Sequence, residues 1–237
     1  VFESKDSAQT WQKTFSVLEE ESTNSLCLSS HPRDPEILYL GTARGLYFSL
    51  DGGKSWSKQT ALAHDEIRKV LLHPLYDNKT FVATESDFYV SDDYGRLFRK
   101  TFHLQRPGKE KPYPDNPEIV PDEIEADSPV SPSIFTVEIS PFDSRELFLG
   151  TSEGIFTSHD LGKTWKSVAR NGLGKAQITD LKISPRDVAL FVATFSGIYQ
   201  LAPQSGRWTE IYAGMTESSA KSLTLIQDGN TESLYAV

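Results

Sequence analysis

An all-β fold built by radial repetition is predicted for this 237-residue chain by three observations. One eight-residue segment recurs: Ser49-Leu50-Asp51-Gly52-Gly53-Lys54-Ser55-Trp56 and Ser158-His159-Asp160-Leu161-Gly162-Lys163-Thr164-Trp165 both fit S-x-D-x-G-x-[ST]-W. Two weaker copies are Ser4 to Trp11, with Ala8 at the glycine position, and Ser91 to Phe98, with Leu97 and Phe98 in the last two places. A second signature lies upstream of these segments, a His-Pro or Ser-Pro turn followed by a short apolar run, as in 31–42, 73–84, 140–151 and 184–194. No stretch carries a helical period, whereas β-branched and aromatic runs parted by Pro, Asp and Gly recur throughout.

The aromatic anchors Trp11, Trp56, Phe98, Trp165 and Trp208 are separated by 45, 42, 67 and 43 residues. A unit of about 43 residues is therefore interrupted once, by an insertion of roughly 25. Four short strands in such a unit make one antiparallel blade of a β-propeller. The first complete unit spans 18–60, with strands expected at 24–31, 36–42, 45–50 and 55–60; the next span 64–102, 130–169 and 176–213. A fifth is split between 217–237 and 1–17, because Val1-Phe2-Glu3-Ser4 matches Leu46-Tyr47-Phe48-Ser49 and Leu234-Tyr235-Ala236-Val237 matches Leu38-Tyr39-Leu40-Gly41. The whole of 1–237 thus reads as a single propeller domain with about five blade units visible, the two ends being halves of a blade. The termini either meet to close a five-bladed ring or belong to a larger propeller of which this is an excerpt; the excerpt is the expectation, since domains rarely begin and end on either side of one tight hairpin.

The recurring segment has a physical task. Asp51 can accept hydrogen bonds from backbone N–H groups of its own turn, Gly53 can supply a positive φ, and Trp56 starts the next strand as a large apolar wedge. The same roles fall to Asp6 and Trp11, to Asp93, Gly95 and Phe98, and to Asp160, Gly162 and Trp165. Tyr39, Phe81, Phe148, Phe191 and Tyr235 recur at equivalent strand positions and are assigned to packing between blades.

These residues resemble the Asp-box (BNR) repeat β-propellers, over essentially the whole chain outside 103–129. The pattern is similar to that of photosystem II stability/assembly factor-like proteins, sortilin-type receptors and xyloglucan-degrading endoglucanases, the His-Pro-x-Asp-Pro phrasing at 31–42 being nearest the first and last of these. The resemblance implies a location outside the cytoplasm, periplasmic or secreted. For the enzymes it implies that the boxes lie away from the catalytic face, and for the assembly factors it implies an arginine docking patch. Fold alone does not choose among these functions.

Composition narrows the classes. The hydrophobic fraction of 38% suffices for a core, and no run approaches the 18 apolar residues of a membrane span, so no membrane insertion is expected. The formal charge of −9 argues against nucleic acid as a partner. The single cysteine, Cys27, on the apolar strand Leu26-Cys27-Leu28, reads as a core residue. No metal site is expected: His31 and His73 are repeat equivalents rather than a converging pair, and His64 and His103 stand alone. Nothing asks for a cofactor, since Gly53-Lys54-Ser55 echoes a P-loop in the wrong setting, a hairpin rather than a strand-to-helix turn. Asn78-Lys79-Thr80 fits a glycosylation acceptor, a pattern with little weight by itself.

With strands A to D in each blade, the A–B and C–D turns emerge on one face and the B–C and D–A connections on the other. The recurring aspartates sit on the first face as structural caps. The second face collects the variable residues: Glu19-Glu20-Glu21, Arg44, His64, Asp65, Glu85, Asp87, Glu153 and Arg170-Asn171. The 103–129 insertion also falls there, its first half basic and its second acidic, with six prolines between Pro107 and Pro129 that exclude a helix or a central strand. Its candidate docking residues are Arg106, Lys109, Lys111, Tyr113, Asp122 and Glu123, joined on the same face by Arg44 and His64.

The first functional reading is a non-enzymatic, protein-binding propeller acting as an assembly factor, a receptor-like module or a structural component of an extracytoplasmic complex. The alternative is a glycoside hydrolase acting on a glycan with paired carboxylates. Asp65, Glu85, Asp87 and Glu153 are the pool for such a pair, against the plainer reading that they are solvated loop acids. A sialidase is disfavoured, because Arg44 is the one arginine found in a B–C turn and no Arg-Ile-Pro element occurs.

Overall fold

A computed structural model describes residues 1–16, 24–105, 131–203, 205–211, 213–216, 219–229 and 231–237. After a two-stranded hairpin, β1 (Phe2–Glu3) and β2 (Gln12–Lys13), each repeat folds into a four-stranded antiparallel meander whose spatial order equals its sequence order. Blade 1 is β3 (Ser25–Ser30), β4 (Leu38–Thr42), β5 (Gly45–Ser49) and β6 (Ser57–Lys58). Blade 2 is β7 (Ile67–Leu72), β8 (Thr80–Thr84), β9 (Asp87–Ser91) and β10 (Arg99–His103). Blade 3 is β11 (Ile134–Ile139), β12 (Leu147–Thr151), β13 (Gly154–Ser158) and β14 (Lys166–Ser167), and blade 4 is β15 (Ile178–Ile183), β16 (Leu190–Thr194), β17 (Gly197–Leu201) and β18 (Trp208–Glu210). A last hairpin, β19 (Leu223–Asp228) with β20 (Thr231–Ala236), repeats strands A and B. The architecture is all-β, as the sequence predicts, and its sheets are propeller blades. The split fifth unit stands as two separate two-stranded sheets, with no ladder between β20 and β1 among the described residues.

Consecutive blades are held by their own apolar clusters. Tyr39, Leu46 and Leu62 of blade 1 meet Ile67, Val70 and Val82 of blade 2; Phe81, Phe88 and Val90 meet Ile134, Val137 and Leu149; Phe148 and Ile155 meet Ile178, Leu181 and Val192. Close approach is set by a small residue at the end of strand B. A Cβ on Gly41 would come within 2.7 Å of Ile67 Cγ2, and one on Gly150 within 2.8 Å of Ile178 Cγ2. Opposite this position strand A carries an irregularity in every complete blade, between Ser25 and Cys27, Ile67 and Lys69, Ile134 and Thr136, and Ile178 and Asp180. Cys27 lies at the first of these, and burial pushes its thiol pKa up, which leaves it protonated and unreactive.

The C–D turns share one hydrogen-bond scheme. Asp51 Oδ1 accepts from the Ser55 N–H at 2.9 Å and from Ser49 Oγ at 2.8 Å, while Oδ2 accepts from Ser55 Oγ at 2.6 Å. Asp6 and Asp160 do the same with Ser4 and Thr10, and with Ser158 and Thr164. These bonds favour the carboxylate and hold Asp6, Asp51 and Asp160 at a pKa of about 2. The leading serine completes the scheme by accepting the glycine N–H, Ser49 Oγ from Gly53 at 2.8 Å and Ser158 Oγ from Gly162 at 2.9 Å. That glycine is left-handed (φ +85° at Gly53, +76° at Gly162), and Ala8 is forced to the same region at φ +68°.

The tryptophans of these turns are less buried than a wedge requires. Trp56 and Trp165 are half-buried and Trp11 is 61% exposed; the fully buried one is Trp208, at 2%. Each packs on the preceding unit, four residues beyond that unit's own anchor. Trp56 stacks on Phe15 at 5.2 Å, Trp165 meets Phe102 at 5.8 Å, and Trp208 donates from Nε1 to the Ala169 carbonyl at 3.0 Å. Of the recurring strand aromatics, Tyr39, Phe81, Phe148 and Phe191 are buried, whereas Tyr235 is exposed on the last hairpin.

Candidate binding face

The histidines before proline clasp adjacent blades. His31 Nδ1 accepts from the Arg33 and Asp34 N–H groups, and its Nε2 meets the Asp77 carbonyl of blade 2 at 3.1 Å. His73 repeats this with Leu75, Tyr76 and the Ser144 carbonyl of blade 3 at 2.7 Å; both nitrogens are thus committed with the ring neutral, and burial lowers its pKa. Asn78 of the glycosylation pattern spends its amide on the Asp92 carbonyl. Among the described residues no group of three His, Cys, Asp or Glu is placed to hold a metal ion.

On the opposite face the B–C turns follow a Thr-x-x-Gly rule. Thr42 donates to the Gly45 carbonyl at 2.9 Å, Thr151 to Gly154 at 2.8 Å and Thr194 to Gly197 at 2.8 Å, and each of these glycines has a positive φ. Blade 2 departs from the rule, with Asp87 in the glycine place. In blades 1 and 3 a Cβ at that place would come within 3.0 Å of Lys58 Cε or 2.4 Å of Arg170, so glycine is needed there. The Asp87 carboxylate is held from both sides: Oδ2 meets Lys100 Nζ at 2.9 Å and Oδ1 meets His103 Nδ1 at 2.7 Å, both partners coming from β10. Lys100 also lies 5.6 Å over the Tyr89 ring.

Asp65, on the D–A connection entering blade 2, joins this cluster electrostatically. Burial first, and then the negative charge of Asp87, raise its pKa, while Lys100 and His64 oppose the rise. Tyr89 is raised by burial and by the same two aspartates, and Lys100 is raised chiefly by its bond to Asp87. Of the carboxylate pool, Asp65 and Asp87 thus lie within electrostatic reach of each other, and His64 within reach of Asp65. Glu85 and Glu153 go elsewhere. Glu85 is 3.7 Å from Arg68, which also pairs with Glu66 at 3.0 Å. Glu153 lines a cleft of about 290 Å³ with Phe102, His103, Leu104, Gln105 and Phe156. Glu85 lines a neighbouring cleft with Ser86, Ser131 and Pro132, and the two clefts share His103 and Leu104. Arg44 is exposed in the B–C turn of blade 1, away from both clefts. The candidate docking residues Arg106, Lys109, Lys111, Tyr113, Asp122 and Glu123, and the acidic Glu19–Glu21 run, lie outside the described residues.

Sequence reasoning missed Tyr89, Lys100 and His103 as site residues, because each looks like an ordinary strand residue. The available signal was Asp87 itself, which breaks a turn rule obeyed three times elsewhere. Asp180 was missed for a related reason. It lies buried on strand A of blade 4 and accepts from Thr136 of blade 3 at 3.1 Å and from the Leu223 N–H of the last hairpin at 2.8 Å.

Neither a protein-family model nor a curated protein sequence matches the chain. Solved structures do. It is similar to an ancestral GH74 enzyme (TM-score 0.73, 13% identity, 92% of this chain and 29% of that one). It is also similar to the extracellular domain of a proposed one-component system of B. thetaiotaomicron (0.65, 17%, 96% and 27%) and to YCF48 bound to D1 peptide (0.54, 16%, 86% and 58%). The chain spans less than two thirds of each of these, and the likeness establishes the β-propeller fold. Propellers with this arrangement include both enzymes and a peptide-bound protein. No helix among the described residues is long and apolar enough to cross a membrane.

Proposed function

We propose that this chain is a non-enzymatic, protein-binding propeller of the Asp-box (BNR) class, working outside the cytoplasm as an assembly factor or receptor-like module. We infer that it binds through the B–C/D–A face of blades 2 and 3. The observation that carries this reading is Asp87. At a place where three other blades use glycine, blade 2 supports a carboxylate with a lysine and a histidine, directly beside two clefts. Polar residues that replace a repeat's scaffold residue without serving its turn mark a recognition surface. Gln105 and Ser131, which flank in sequence the charged and proline-rich segment carrying Arg106, Lys109, Lys111, Tyr113, Asp122 and Glu123, each line one of the clefts. A solved neighbour that holds a peptide, and others that are extracellular domains, lend support.

The test is affinity capture from the native source combined with cross-linking, comparing the parent, a 106–127 deletion and Asp87→Gly. A stoichiometric protein partner cross-linked beside Gln105 or Glu153 and lost in both variants is expected. Capture that is equal in all three would move the interface elsewhere.

One observation favours a second reading, a glycoside hydrolase. Burial and the nearby Asp87 raise the pKa of Asp65, while the Asp87 carboxylate is contacted by Lys100 and His103, an asymmetry between two acids of the kind such chemistry uses. Hydrolysis of xyloglucan oligosaccharides abolished by Asp65→Asn and by Asp87→Asn would establish it. Their survival intact with the parent protein would remove it.

A further inference from the structure

The opposite face holds a second departure from the repeat. Its C–D turns place a serine or threonine seven residues after the leading serine's predecessor, at Thr10, Ser55 and Thr164, and each hydroxyl donates to its aspartate at 2.6 Å. Blade 2 has Leu97 there, which forfeits that bond and is 73% exposed. Blade 2 also places Tyr94 where blade 1 has Gly52 and blade 3 has Leu161, itself left-handed at φ +61°. The tyrosine backbone is left-handed at φ +60°, and its side chain is 48% exposed. Leu97 thus gives up a bond its sister turns keep, and Leu97 and Tyr94 both present apolar surface to solvent, which folding alone does not favour.

Tyr94 lines a groove of about 390 Å³ between the C–D turns of blades 1 and 2, together with Ile37, Phe48, Leu50, Gly95 and Arg96, the residue before Leu97. Leu50, on its other wall, is itself 60% exposed. The groove is built on a fixed frame. Tyr39 Oη donates to the Tyr94 carbonyl at 2.7 Å, and Gln59 Nε2 donates to the Gly95 carbonyl at 2.6 Å and to that of Arg96 at 3.1 Å. Arg96 is the one charged residue among the six, so the lining is apolar with a single positive group.

We propose that this groove is a docking site for an extended peptide segment that places an aliphatic or aromatic side chain between Leu50 and Tyr94 and a carboxylate against Arg96. The site is independent of the proposed B–C/D–A face of blades 2 and 3 and would add a second binding surface, on the opposite side between blades 1 and 2.

The probes are three blocked hexapeptides, GLDFDG, GLKFKG and GLSFSG, titrated into ¹⁵N-labelled full chain. GLDFDG is expected to bind at least tenfold more tightly than GLKFKG, with shifts confined to Leu50, Tyr94, Gly95, Arg96 and their neighbours. Tyr94→Gly and Leu97→Thr restore residues used by the sister turns. They are expected to keep or raise the melting temperature while weakening GLDFDG at least tenfold, so that lost binding is not lost folding. Arg96→Gln should bring GLDFDG down to the affinity of GLSFSG. Equal binding of acidic and basic peptides, binding of none, or shifts centred elsewhere would overturn the proposal. Concentration-dependent shifts at the same residues without peptide would also overturn it, naming a second copy of this chain as the occupant.

Discussion

The C–D turns of blades 1 and 3 and the turns of blade 2 are built on the same backbone, yet they answer to different demands. In the first pair the aspartate, the leading serine and the closing hydroxyl satisfy one another. In blade 2 the turn loses its closing hydroxyl to Leu97, and on the other face a scaffold glycine becomes Asp87. A repeat protein supplies its own control, because sister blades show what folding alone selects at each place. Where one blade disagrees with the others at a cost to its own turn, the reason lies outside the fold.

This contrast can be broken or sharpened by mutation. The largest expected effect is at Trp208, the fully buried anchor: Trp208→Ala should cost about 3–5 kcal/mol in denaturant unfolding. Trp11→Ala, at an exposed anchor, should stay within about 0.5 kcal/mol. Equal losses at the two sites would mean that burial does not rank the anchors. Next is Asp160→Ala, which removes the acceptor of its turn and should cost about 1 kcal/mol. Ala8→Gly should act in the opposite direction and stabilise by about 1 kcal/mol, because it relieves a left-handed alanine; a lowered melting temperature would show that the strain has been misassigned. Asp87→Gly, which restores the rule of the sister blades, should leave stability nearly unchanged while partner capture falls, and a large loss of stability would make Asp87 a scaffold residue after all.

The subtlest effect is in pH. Asp6, Asp51 and Asp160 have folded pKa values of about 2, below the ordinary carboxylate value of about 3.9. Their folded forms bind fewer protons, so their contribution is complete above about pH 4 and is lost as pH falls through about 2. His73, lowered by burial, adds the same sign at higher pH: stability falls as pH drops below the unfolded histidine pKa of about 6.5. His73→Gln should flatten the melting curve between about pH 5 and 7 and leave the acid limb unchanged.

The fold was legible because its signal is repeated. Four copies of one turn fix the period even though Ala8 spoils one and Leu97 with Phe98 another. The strand order, the face assignment of each turn and the role of Asp51 followed from that period. The cluster around Asp87 was legible only in half. Asp65 and Asp87 stood out as acids on variable connections, but Lys100 and His103 reach Asp87 from β10 across a ladder whose register no local pattern states. The clasping role of His31 and His73 was hidden for the same reason, since its acceptors are carbonyls 46 and 71 residues away. The depth of the anchors was misjudged because burial depends on what the neighbouring unit offers: Phe15 and Phe102 leave Trp56 and Trp165 partly open, whereas the smaller Ala169 lets Trp208 sink.

Asp180 changes the cooperativity of the stack. In an array where each repeat touches only its neighbours, unfolding free energy divides into single-repeat and pairwise parts, and an end repeat can fray alone. A buried carboxylate that accepts from Thr136 of blade 3, from its own neighbour Leu181 and from Ser222 and Leu223 of the last hairpin belongs to three units at once. Detaching the hairpin strands one half of that carboxylate without a donor, and detaching blade 3 removes a donor from the other half. The three are therefore expected to exchange their amide protons as a block, with the last two strands, largely exposed by themselves, sharing the protection of the blades behind them.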